Sequence, residues 1–384
     1  MEHGRRLQVH NTIRLKVELY VTLAYFVDLE KTNVYEFSQS LVNGDIYDSK
    51  GMLWEQMHTY YSGLGTGKYR ILGGVFGYGI SGQITSAYKY ICKNYRSEQD
   101  EIWLLGFSRG AYAVRSLAGM INNIGLLPKE KLSKTEEAYM LYRNRGKHRR
   151  PSGIDSIKFR RDNGCQMPYI YFLGCFDTVG TLGVPKLPWY LGGPIFYNLF
   201  NRFHSFHDTK LTPIVKHAYH ALSIHDQRAW FRPTLMHFSD KQQLNSKFQT
   251  LEQVWFPGMH ADVGGQKTSN CSGNIISCHS LWWMMSKARK LGLVFKEDRL
   301  LQTPDFRDCK FFYQDSYLSA LIYRIMPRED RVIAKDENTF TYDPKLQLYR
   351  EGDFLSFITQ NDLQRYKSKT LTVFYQNVLN SYKI

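Results

Sequence analysis

The amino-acid sequence predicts an α/β-hydrolase-like fold, in which a mostly parallel sheet carries helices on both faces, with insertions and a C-terminal appendage. Short apolar runs with the composition of buried strands alternate with segments of helical periodicity, a pattern typical of parallel sheets covered by helices. One strand, at residues 102–105, leads through Gly106 and a serine directly into a helix. We therefore expect a hydrolase domain over residues 1–300 and an appendage over residues 301–384, packed on or beside it.

The predicted elements follow one another as such a sheet requires. Residues 84–95 repeat apolar side chains at helical spacing. A second helical pattern begins at Arg109 and closes at Gly125, a residue type common at helix C-termini. The predicted strands are residues 17–27, 102–105, 169–176 and 253–256. Strands separated by helices in this way are expected to pair in parallel.

The first apolar run, residues 17–27, also bears on cellular location. Basic residues precede it, as in a signal peptide, but Glu18 lies inside it and no small-x-small cleavage site follows. A buried strand is therefore the better interpretation. No apolar run is long enough to span a bilayer, and the 6 dispersed cysteines contain no Cys-x-x-Cys pair, which favours a reducing compartment. We expect a cytoplasmic protein, with peripheral attachment to membranes as a further option.

The chain is strongly basic, with a formal net charge of +15 over 384 residues. With 43% hydrophobic and 22% charged residues, the composition excludes a disordered polyelectrolyte and a coiled coil. Basic residues concentrate at about residues 143–161, which we expect to form a solvated loop or insertion. This segment is also a candidate contact for an anionic membrane surface. Nucleic-acid binding is not expected, because aromatic residues do not alternate with the basic ones.

The pentapeptide Gly106-Phe107-Ser108-Arg109-Gly110 fits the Gly-x-Ser-x-Gly nucleophile elbow. A serine on a strained strand-to-helix turn brings the backbone close to neighbouring chain, so that glycine is needed two residues before and two residues after it. The helix that follows directs its first N–H groups, beginning with that of Arg109, toward a developing oxyanion. The pentapeptide lies between a strand pattern and a helix pattern. This context predicts Ser108 as a nucleophile.

A nucleophilic serine requires a base, and the base requires a carboxylate that fixes its tautomer. In this fold the chain order is serine, then acid, then histidine, with each partner after a strand. Asp177 follows the strand at 169–176, and His260 follows the strand at 253–256 within a glycine-rich loop. These two residues are therefore the candidate acid and base. Asp262 is an alternative acid, but its closeness to His260 in sequence makes it the weaker candidate.

The remaining motifs do not predict a cofactor or a metal site. Residues 77–82 fit Gly-x-Gly-x-x-Gly, but a poor strand precedes them, so we expect a flexible loop entering a helix. Residues 65–68 lack the first glycine and the final Ser or Thr of a phosphate-binding loop. The histidine pairs at three-residue spacing lack the His-Glu-x-x-His pattern of a zinc site. These pairs are His204 with His207 and His217 with His220.

Two further features carry local expectations. Arg228, within the segment His225-Asp226-Gln227-Arg228, is expected to anchor a loop by pairing with a carboxylate. The aromatic stretch 189–200 is either a lid or interfacial patch, or part of the core.

The motifs together resemble the DUF2235 family of α/β-hydrolases, which includes the catalytic domain of the Tle1-type phospholipase effectors of type VI secretion. The segments that carry the resemblance run in family order from residue 32 to residue 265: Thr32-Asn-Val34, Tyr61 to Thr66, Gly106 to Tyr112, Leu117-Ala-Gly119, Phe176 to Gly180, His220 to Arg228, and Phe256 to Gly265. The resemblance implies a serine hydrolase with Ser108 as nucleophile, Asp177 as acid and His260 as base. It also implies an ester or phospholipid substrate.

One segment departs from the family pattern. Members usually carry Cys-Asp-Gly-Thr after the first strand, whereas this chain reads Ala24-Tyr-Phe-Val-Asp28-Leu-Glu-Lys31 there. Loss of one oxyanion donor costs about 3 kcal/mol, or roughly a hundredfold in rate. Two hypotheses therefore stand at this point. One is an active serine esterase, and the other is a catalytically impaired relative that binds a membrane or a partner through its basic surface.

Overall fold

An eight-stranded sheet runs through the part of the chain that the computed structural model describes, namely residues 12–21, 32–48, 51–61, 76–144, 146–179, 210–238, 249–256, 258–265, 275–300, 328–331 and 339–340. The strands are β1 (Thr12–Val21), β2 (Gly44–Tyr47), β3 (Leu53–Tyr61), β4 (Glu101–Ser108), β5 (Ile170–Phe176), β6 (Val215–Ser223), β7 (Thr250–Phe256) and β8 (Thr339–Phe340). Their order is β2-β3-β1-β4-β5-β6-β7-β8, and each neighbouring pair is parallel except β2 with β3. The predicted fold class is confirmed.

Helices cover both faces of this sheet. The described helices are α1 (Asn33–Gln39), α2 (Phe76–Asn94), α3 (Arg109–Ile124), α4 (Thr135–Arg143), α5 (Ile154–Asn163), α6 (His260–Gly264) and α7 (Ile275–Lys290). Helices α2 to α5 pack on one face, and α1, α6 and α7 pack on the other. No helix among the described residues is long and apolar enough to cross a membrane.

Strand β4 lies between the two layers of helices, which explains why its sequence is continuously apolar. Ile102 and Leu104 are fully buried on the face of α2 and α3, whereas Trp103 and Leu105 are fully buried on the opposite face. Side chains alternate across a strand, so a strand covered on both faces must be apolar at every position. The strand therefore holds Ser108 at a fixed place on the carboxyl edge of the sheet.

The site lies where the strand order reverses. The chain proceeds from β1 to β3 on one side, then crosses to β4 on the other side of β1 and continues toward β7. In open parallel sheets, ligands bind at the carboxyl ends of the strands beside such a reversal. Ser108 is the last residue of β4 and pairs in register with Val21, the last residue of β1. The topology thus puts the predicted nucleophile at the usual ligand position of the fold.

Three local expectations differ from the structure. Strand β1 begins five residues before the predicted run 17–27, and residues 22–27 lie outside the described part. The segment 77–82 is helical at the start of α2 instead of a loop, because the buried Ile80 extends the apolar face of the helix by one turn before Ile84. The second half of the basic segment forms α5, because Ser156 and Phe159 present a small buried face at helical spacing.

The described residues after 300 contact the sheet and the candidate site. Strand β8 continues the sheet, with Thr339 and Phe340 in parallel register with Gln253 and Val254 of β7. Arg331 is buried within the candidate site, as described below. The described residues beyond 300 are therefore integrated into the sheet and the site.

Candidate active site

Ser108 occupies a sharp turn between β4 and α3. Its backbone has φ of 58° and ψ of −120°, a conformation that L-residues rarely adopt. Gly106 makes this turn feasible, because a Cβ there would lie 2.5 Å from the backbone carbonyl carbon of Gly110. Gly106 therefore allows strand and helix to approach closely, as the elbow motif requires. Helix α3 begins at Arg109, as the sequence predicts.

His260 is the first residue of α6 and lies between the other two candidate residues. Its Nε2 is 2.8 Å from Oγ of Ser108, and its Nδ1 is 2.5 Å from Oδ2 of Asp177. All three side chains are buried. The structure thus brings together three residues that are far apart along the chain, since Asp177 lies 83 positions and Ser108 lies 152 positions before His260.

Backbone strain concentrates at the same place. Ser108 and Asp177, with φ of 58° and 39°, are the two non-glycine residues with positive φ in the described part of the chain. Such conformations cost about 1–3 kcal/mol each and persist where surrounding structure imposes them, most often at functional sites. Their coincidence with two of the three candidate residues is independent support for a functional constellation.

The carboxylate of Asp177 has four hydrogen bonds with three residues. Its Oδ1 accepts a hydrogen bond from the backbone N–H of Ser223 at 3.0 Å. The guanidinium of Arg331 donates to Oδ1 at 2.7 Å and to Oδ2 at 2.9 Å. With the bond from His260, both carboxylate oxygens have at least two donors. This geometry leaves the carboxylate no freedom to rotate away from His260.

The electrostatics of the pair follow from burial and from these partners. Burial by itself opposes ionisation of Asp177, but Arg331 and His260 together lower its pKa below the usual range. Burial lowers the pKa of His260, and the bond from Asp177 partly offsets this effect. His260 is therefore neutral near pH 7, with Nδ1–H donating to Asp177 and Nε2 accepting from Ser108. A neutral imidazole in this tautomer can act as a general base.

Asp262, the alternative acid, has a different place in the structure. Its carboxylate accepts a hydrogen bond at 2.8 Å from the backbone N–H of Met259, the residue that precedes α6. An acidic residue at this position satisfies an N–H group that has no partner within the helix. The structure thus puts Asp177, and not Asp262, against Nδ1 of His260.

Helix α6, which carries His260, is fixed from behind by Asn33 of the Thr-Asn-Val segment. The amide of Asn33 donates to the carbonyl of Val263 and to the carbonyl of Ser277, each at 2.9 Å. Gly265 has φ of 84°, and a Cβ there would lie 2.4 Å from the backbone nitrogen of Asn33. Asn33 and the glycine therefore lock α1, α6 and α7 together and set the position of His260.

Aromatic rings enclose the imidazole of His260. The ring of Phe107 lies 4.7 Å from it between centroids, and the ring of Phe231 lies 5.3 Å from it. A Cβ at Gly264 would lie 2.0 Å from the Phe107 ring, so glycine is required there for this packing. Phe107, the residue before the nucleophile, thus also helps to fix the plane of the His260 imidazole.

The loop after β6 supports the backbone of His260. Asp226 accepts a hydrogen bond from the backbone N–H of His260 at 3.3 Å. As expected, Arg228 pairs with a carboxylate, because its Nε and Nη2 donate to the two oxygens of Asp226 at 3.0 and 2.6 Å. Nδ1 of His225 accepts from the N–H of Gly258 at 2.9 Å. Residues 225–228 therefore hold the backbone at the start of α6, the helix that carries the candidate base.

The two histidines on β6 have protein partners at their ring nitrogens. Nε2 of His220 accepts from the backbone N–H of Thr178 at 3.0 Å, and its Nδ1 lies 3.2 Å from Oε1 of Gln253. Burial, with Arg115 nearby, lowers the pKa of His220 to about 3. His217 instead contacts the hydroxyl of Thr250. Within the described ranges, no group of three or more metal-ligating side chains comes together.

Several expectations fall outside the described residues. They concern the segment 24–31 that departs from the family pattern, the segment 65–68, the pair His204 and His207, and the aromatic stretch 189–200.

Fold and site geometry together define the class of protein. A mostly parallel sheet that presents a strained serine at the end of a central strand, with a histidine and an aspartate in order behind it, is the arrangement of α/β-hydrolase-like proteins. The family comparison is more specific. Residues 22–287 match the model described as "T6SS, Phospholipase effector Tle1-like, catalytic domain". The chain belongs to this Tle1-like family.

Individual relatives are distant and longer. The chain is similar to Uncharacterized protein YEL023C of Saccharomyces cerevisiae, with 26% identity over 226 residues, 52% of this chain and 29% of the yeast protein. A solved structure of the Tle1 effector bound to the VgrG spike from the Type 6 secretion system aligns at 18% identity, with a TM-score of 0.36, over 66% of this chain and 51% of that one. An uncharacterized Pseudomonas aeruginosa protein aligns at 18% identity, with a TM-score of 0.42, over 77% and 48%. The chain thus spans about a third to a half of these relatives.

Proposed function

We propose that this protein is a serine hydrolase that cleaves carboxylic esters of lipids or phospholipids. The observation that carries the proposal is the continuous hydrogen-bond chain from Ser108 through His260 to Asp177, at 2.8 and 2.5 Å. The strained backbone at Ser108 and the family membership support the same chemistry. The lipid substrate class rests on the family description, which names a phospholipase effector.

The proposed reaction has two halves. His260 Nε2 takes the proton of Ser108 as Oγ attacks the ester carbonyl carbon, and the resulting imidazolium is stabilised by Asp177. His260 then gives this proton to the leaving alcohol, which releases the alcohol and leaves an acyl ester on Ser108. A water molecule then gives a proton to His260 as it attacks the carbonyl carbon of that ester. The bond to Oγ of Ser108 breaks, His260 returns the proton to Oγ, and the acid is released. No cofactor or metal ion is required in this scheme.

Stabilisation of the oxyanion is assigned to the start of α3. The first N–H groups of a helix have no partner within it, and the helix dipole favours negative charge there. The backbone N–H of Arg109 directly follows the nucleophile, which is the usual position of one oxyanion donor in this fold. A second donor is expected from another loop at the carboxyl edge of the sheet.

A fluorophosphonate probe tests this function directly. We expect the wild-type protein to form a covalent adduct that peptide mass spectrometry locates on Ser108, because the probe reacts with serines activated by a neighbouring base. The same protein is expected to hydrolyse p-nitrophenyl esters and mixed micelles of phosphatidylcholine. A protein that neither reacts with the probe nor hydrolyses any of these esters would contradict the proposal and favour the impaired relative.

A second candidate function, binding to an anionic membrane surface, is favoured by one face of α5. Ile154, Ile157, Lys158 and Arg161 recur at helical spacing and are all exposed, with Ile154 at 69% and Ile157 at 47%. Exposed apolar side chains beside basic ones combine burial of apolar area with attraction to anionic lipid, and these two contributions set the strength of binding at a membrane surface. A peripheral location at the cytoplasmic face of a membrane is part of this candidate.

The position of α5 separates this candidate from catalysis. Arg160 of α5 donates to the carbonyl of Asn123, near the C-terminal end of α3. Ser108 lies at the other end of α3, about 20 Å away at 1.5 Å per residue. A surface bound to α5 would therefore not deliver its lipid directly to Ser108.

Vesicle binding checks the second candidate without interference from the first. We expect the double change Lys158→Glu and Arg161→Glu to weaken co-sedimentation with phosphatidylserine vesicles by at least about thirtyfold, since two basic residues that contribute about 1 kcal/mol each at such a surface are lost. Hydrolysis of a soluble p-nitrophenyl ester is expected to remain at the wild-type rate. Charge reversal of the exposed Arg289 and Lys290 on α7 is a matched control. Equal binding by all three proteins would rule out α5 as the contact.

A further inference from the structure

Arg331 is buried in the candidate site, although it lies 44 residues beyond the last residue of the family match. Its side chain is 2% exposed and donates to both carboxylate oxygens of Asp177, at 2.7 and 2.9 Å. It also donates to the carbonyls of Ser223 and Phe231, at 2.7 and 2.6 Å. A guanidinium with this many fixed acceptors holds its partner carboxylate in one orientation.

The short segment 328–331 reaches the site through its own contacts with the loop after β6. The backbone N–H of Glu329 donates to the carbonyl of Gln227 at 2.9 Å, and the Gln227 amide donates to Asp330 at 2.5 Å. Glu329 also pairs with Arg232 at the surface. The segment is therefore bound along its length, and Arg331 is the residue that enters the interior.

We propose that Arg331 is a positioning residue of the candidate triad, which fixes the Asp177 carboxylate and balances its charge beneath His260. This inference rests on the proposed function, because it assigns a role within that same triad. It makes the segment beyond the family match a necessary part of the catalytic unit. Arg331 does not contact the reacting atoms and acts through Asp177.

The charges around His260 explain what Arg331 does. Two buried carboxylates, Asp177 and Asp226, face the imidazole region together with two buried guanidiniums, Arg228 and Arg331. This group is neutral when His260 is neutral, so protonation of His260 adds an uncompensated buried charge. Asp262 lies on the same helix as His260 and faces the N–H of Met259. Without Arg331 the group would carry one net negative charge, and the imidazolium would be favoured.

The direction of the expected change follows from this balance. Removal of the guanidinium raises the pKa of His260. The imidazole therefore becomes protonated, and can no longer act as a base, at a higher pH than in the wild type. In the variant Arg331→Gln, the acidic limb of the pH profile of kcat/KM is expected to move up by about one pH unit. The maximal kcat is expected to fall about tenfold to a hundredfold, because the orientation of His260 is less fixed. KM is expected to change little.

Two further variants separate charge from geometry and from folding. Arg331→Lys keeps the charge but cannot donate to both oxygens in one plane, so the acidic limb should stay in place while kcat falls. Arg149→Gln removes an exposed pair with Asp155 and touches neither the triad nor segment 328–331, so both quantities should stay at wild-type values. A purely structural role of Arg331 would lower thermal stability in both Arg331 variants without moving the acidic limb.

A measurement independent of turnover completes the test. Titration of the ¹⁵N-labelled imidazole of His260 by NMR, assigned with His260→Gln, reads its pKa in wild type and in Arg331→Gln. An upward shift supports the inference, and equal titration in the two proteins overturns it. Failure of the proposed function would appear separately, as a wild-type protein that no fluorophosphonate labels. Should Arg331→Gln not fold, a wild-type kcat in Arg331→Lys would overturn the inference.

Discussion

Replacement of Ser108 by alanine is expected to lower kcat/KM for ester hydrolysis by at least about 10⁴-fold, because nucleophile and base act as one unit whose members cannot substitute for each other. Labelling by the fluorophosphonate should disappear as well. The fold should survive, since Gly106 and the backbone of the turn are unchanged and alanine retains the Cβ of serine. Initial rates with p-nitrophenyl butyrate and a thermal unfolding curve measure both results.

A matched control for this change is available on the same helix. Ser116 is buried on α3, two turns beyond the nucleophile, and Ser116→Ala removes a hydroxyl of the same kind at a distance from His260. This variant is expected to keep wild-type activity within about twofold, because it alters no group in the relay. A residual rate in Ser108→Ala within tenfold of wild type, in a folded protein free of contaminating esterase, would remove Ser108 from the mechanism.

The change Asp177→Asn is expected to affect catalysis and stability together. The neutral amide can neither hold His260 in the Nδ1–H tautomer nor stabilise the imidazolium as the carboxylate does. Such a change lowers kcat about 10⁴-fold in the serine-protease triad. In this protein the amide also leaves the buried guanidinium of Arg331 without its counter-charge. Loss of one partner of a buried ion pair costs about 3–5 kcal/mol. Urea denaturation and ester hydrolysis measure the two effects.

A second substitution distinguishes the two effects of Asp177→Asn. The double variant Asp177→Asn with Arg331→Gln lacks the buried guanidinium charge. Its free energy of unfolding should therefore be higher than that of Asp177→Asn alone by at least about 1 kcal/mol. Activity should not recover, because the base still lacks its carboxylate. The exposed pair of Arg149 with Asp155 is the control, where Asp155→Asn should change stability by less than about 1 kcal/mol. Equal destabilisation at both sites would contradict the role of the buried pair.

Local sequence patterns were sufficient to predict the elements that present the candidate residues. The apolar run before Gly106 and the helical spacing after Arg109 predicted a strand, a turn and a helix, and the structure has β4, an elbow and α3 at those positions. Asp177 and His260 are the predicted acid and base because each follows a strand, and the structure brings them to Ser108. Their catalytic roles stay predictions until the variants are measured.

Other features could not be read from local patterns, because they depend on partners far apart in sequence. The loop expected at residues 77–82 is helical, because burial of Ile80 extends the apolar face of α2 over this segment. Half of the basic segment is helical for a similar reason, with Phe159 packed inward. Charge and glycine content describe preferences of the isolated chain, and tertiary packing overrides them when an apolar side chain can be buried.

The sequence by itself determined the fold class and the three strand ends that carry Ser108, Asp177 and His260, because periodicity and turn chemistry are local properties of the chain. Only the tertiary structure decided between Asp177 and Asp262 as the partner of His260, since Asp262 is used at the start of its own helix. Only the tertiary structure revealed Arg331, because nothing in its neighbourhood in sequence marks a residue that binds a carboxylate 154 positions away. Hydrogen bonds and ion pairs across such distances depend on how the strands are ordered in the sheet, which no short segment specifies.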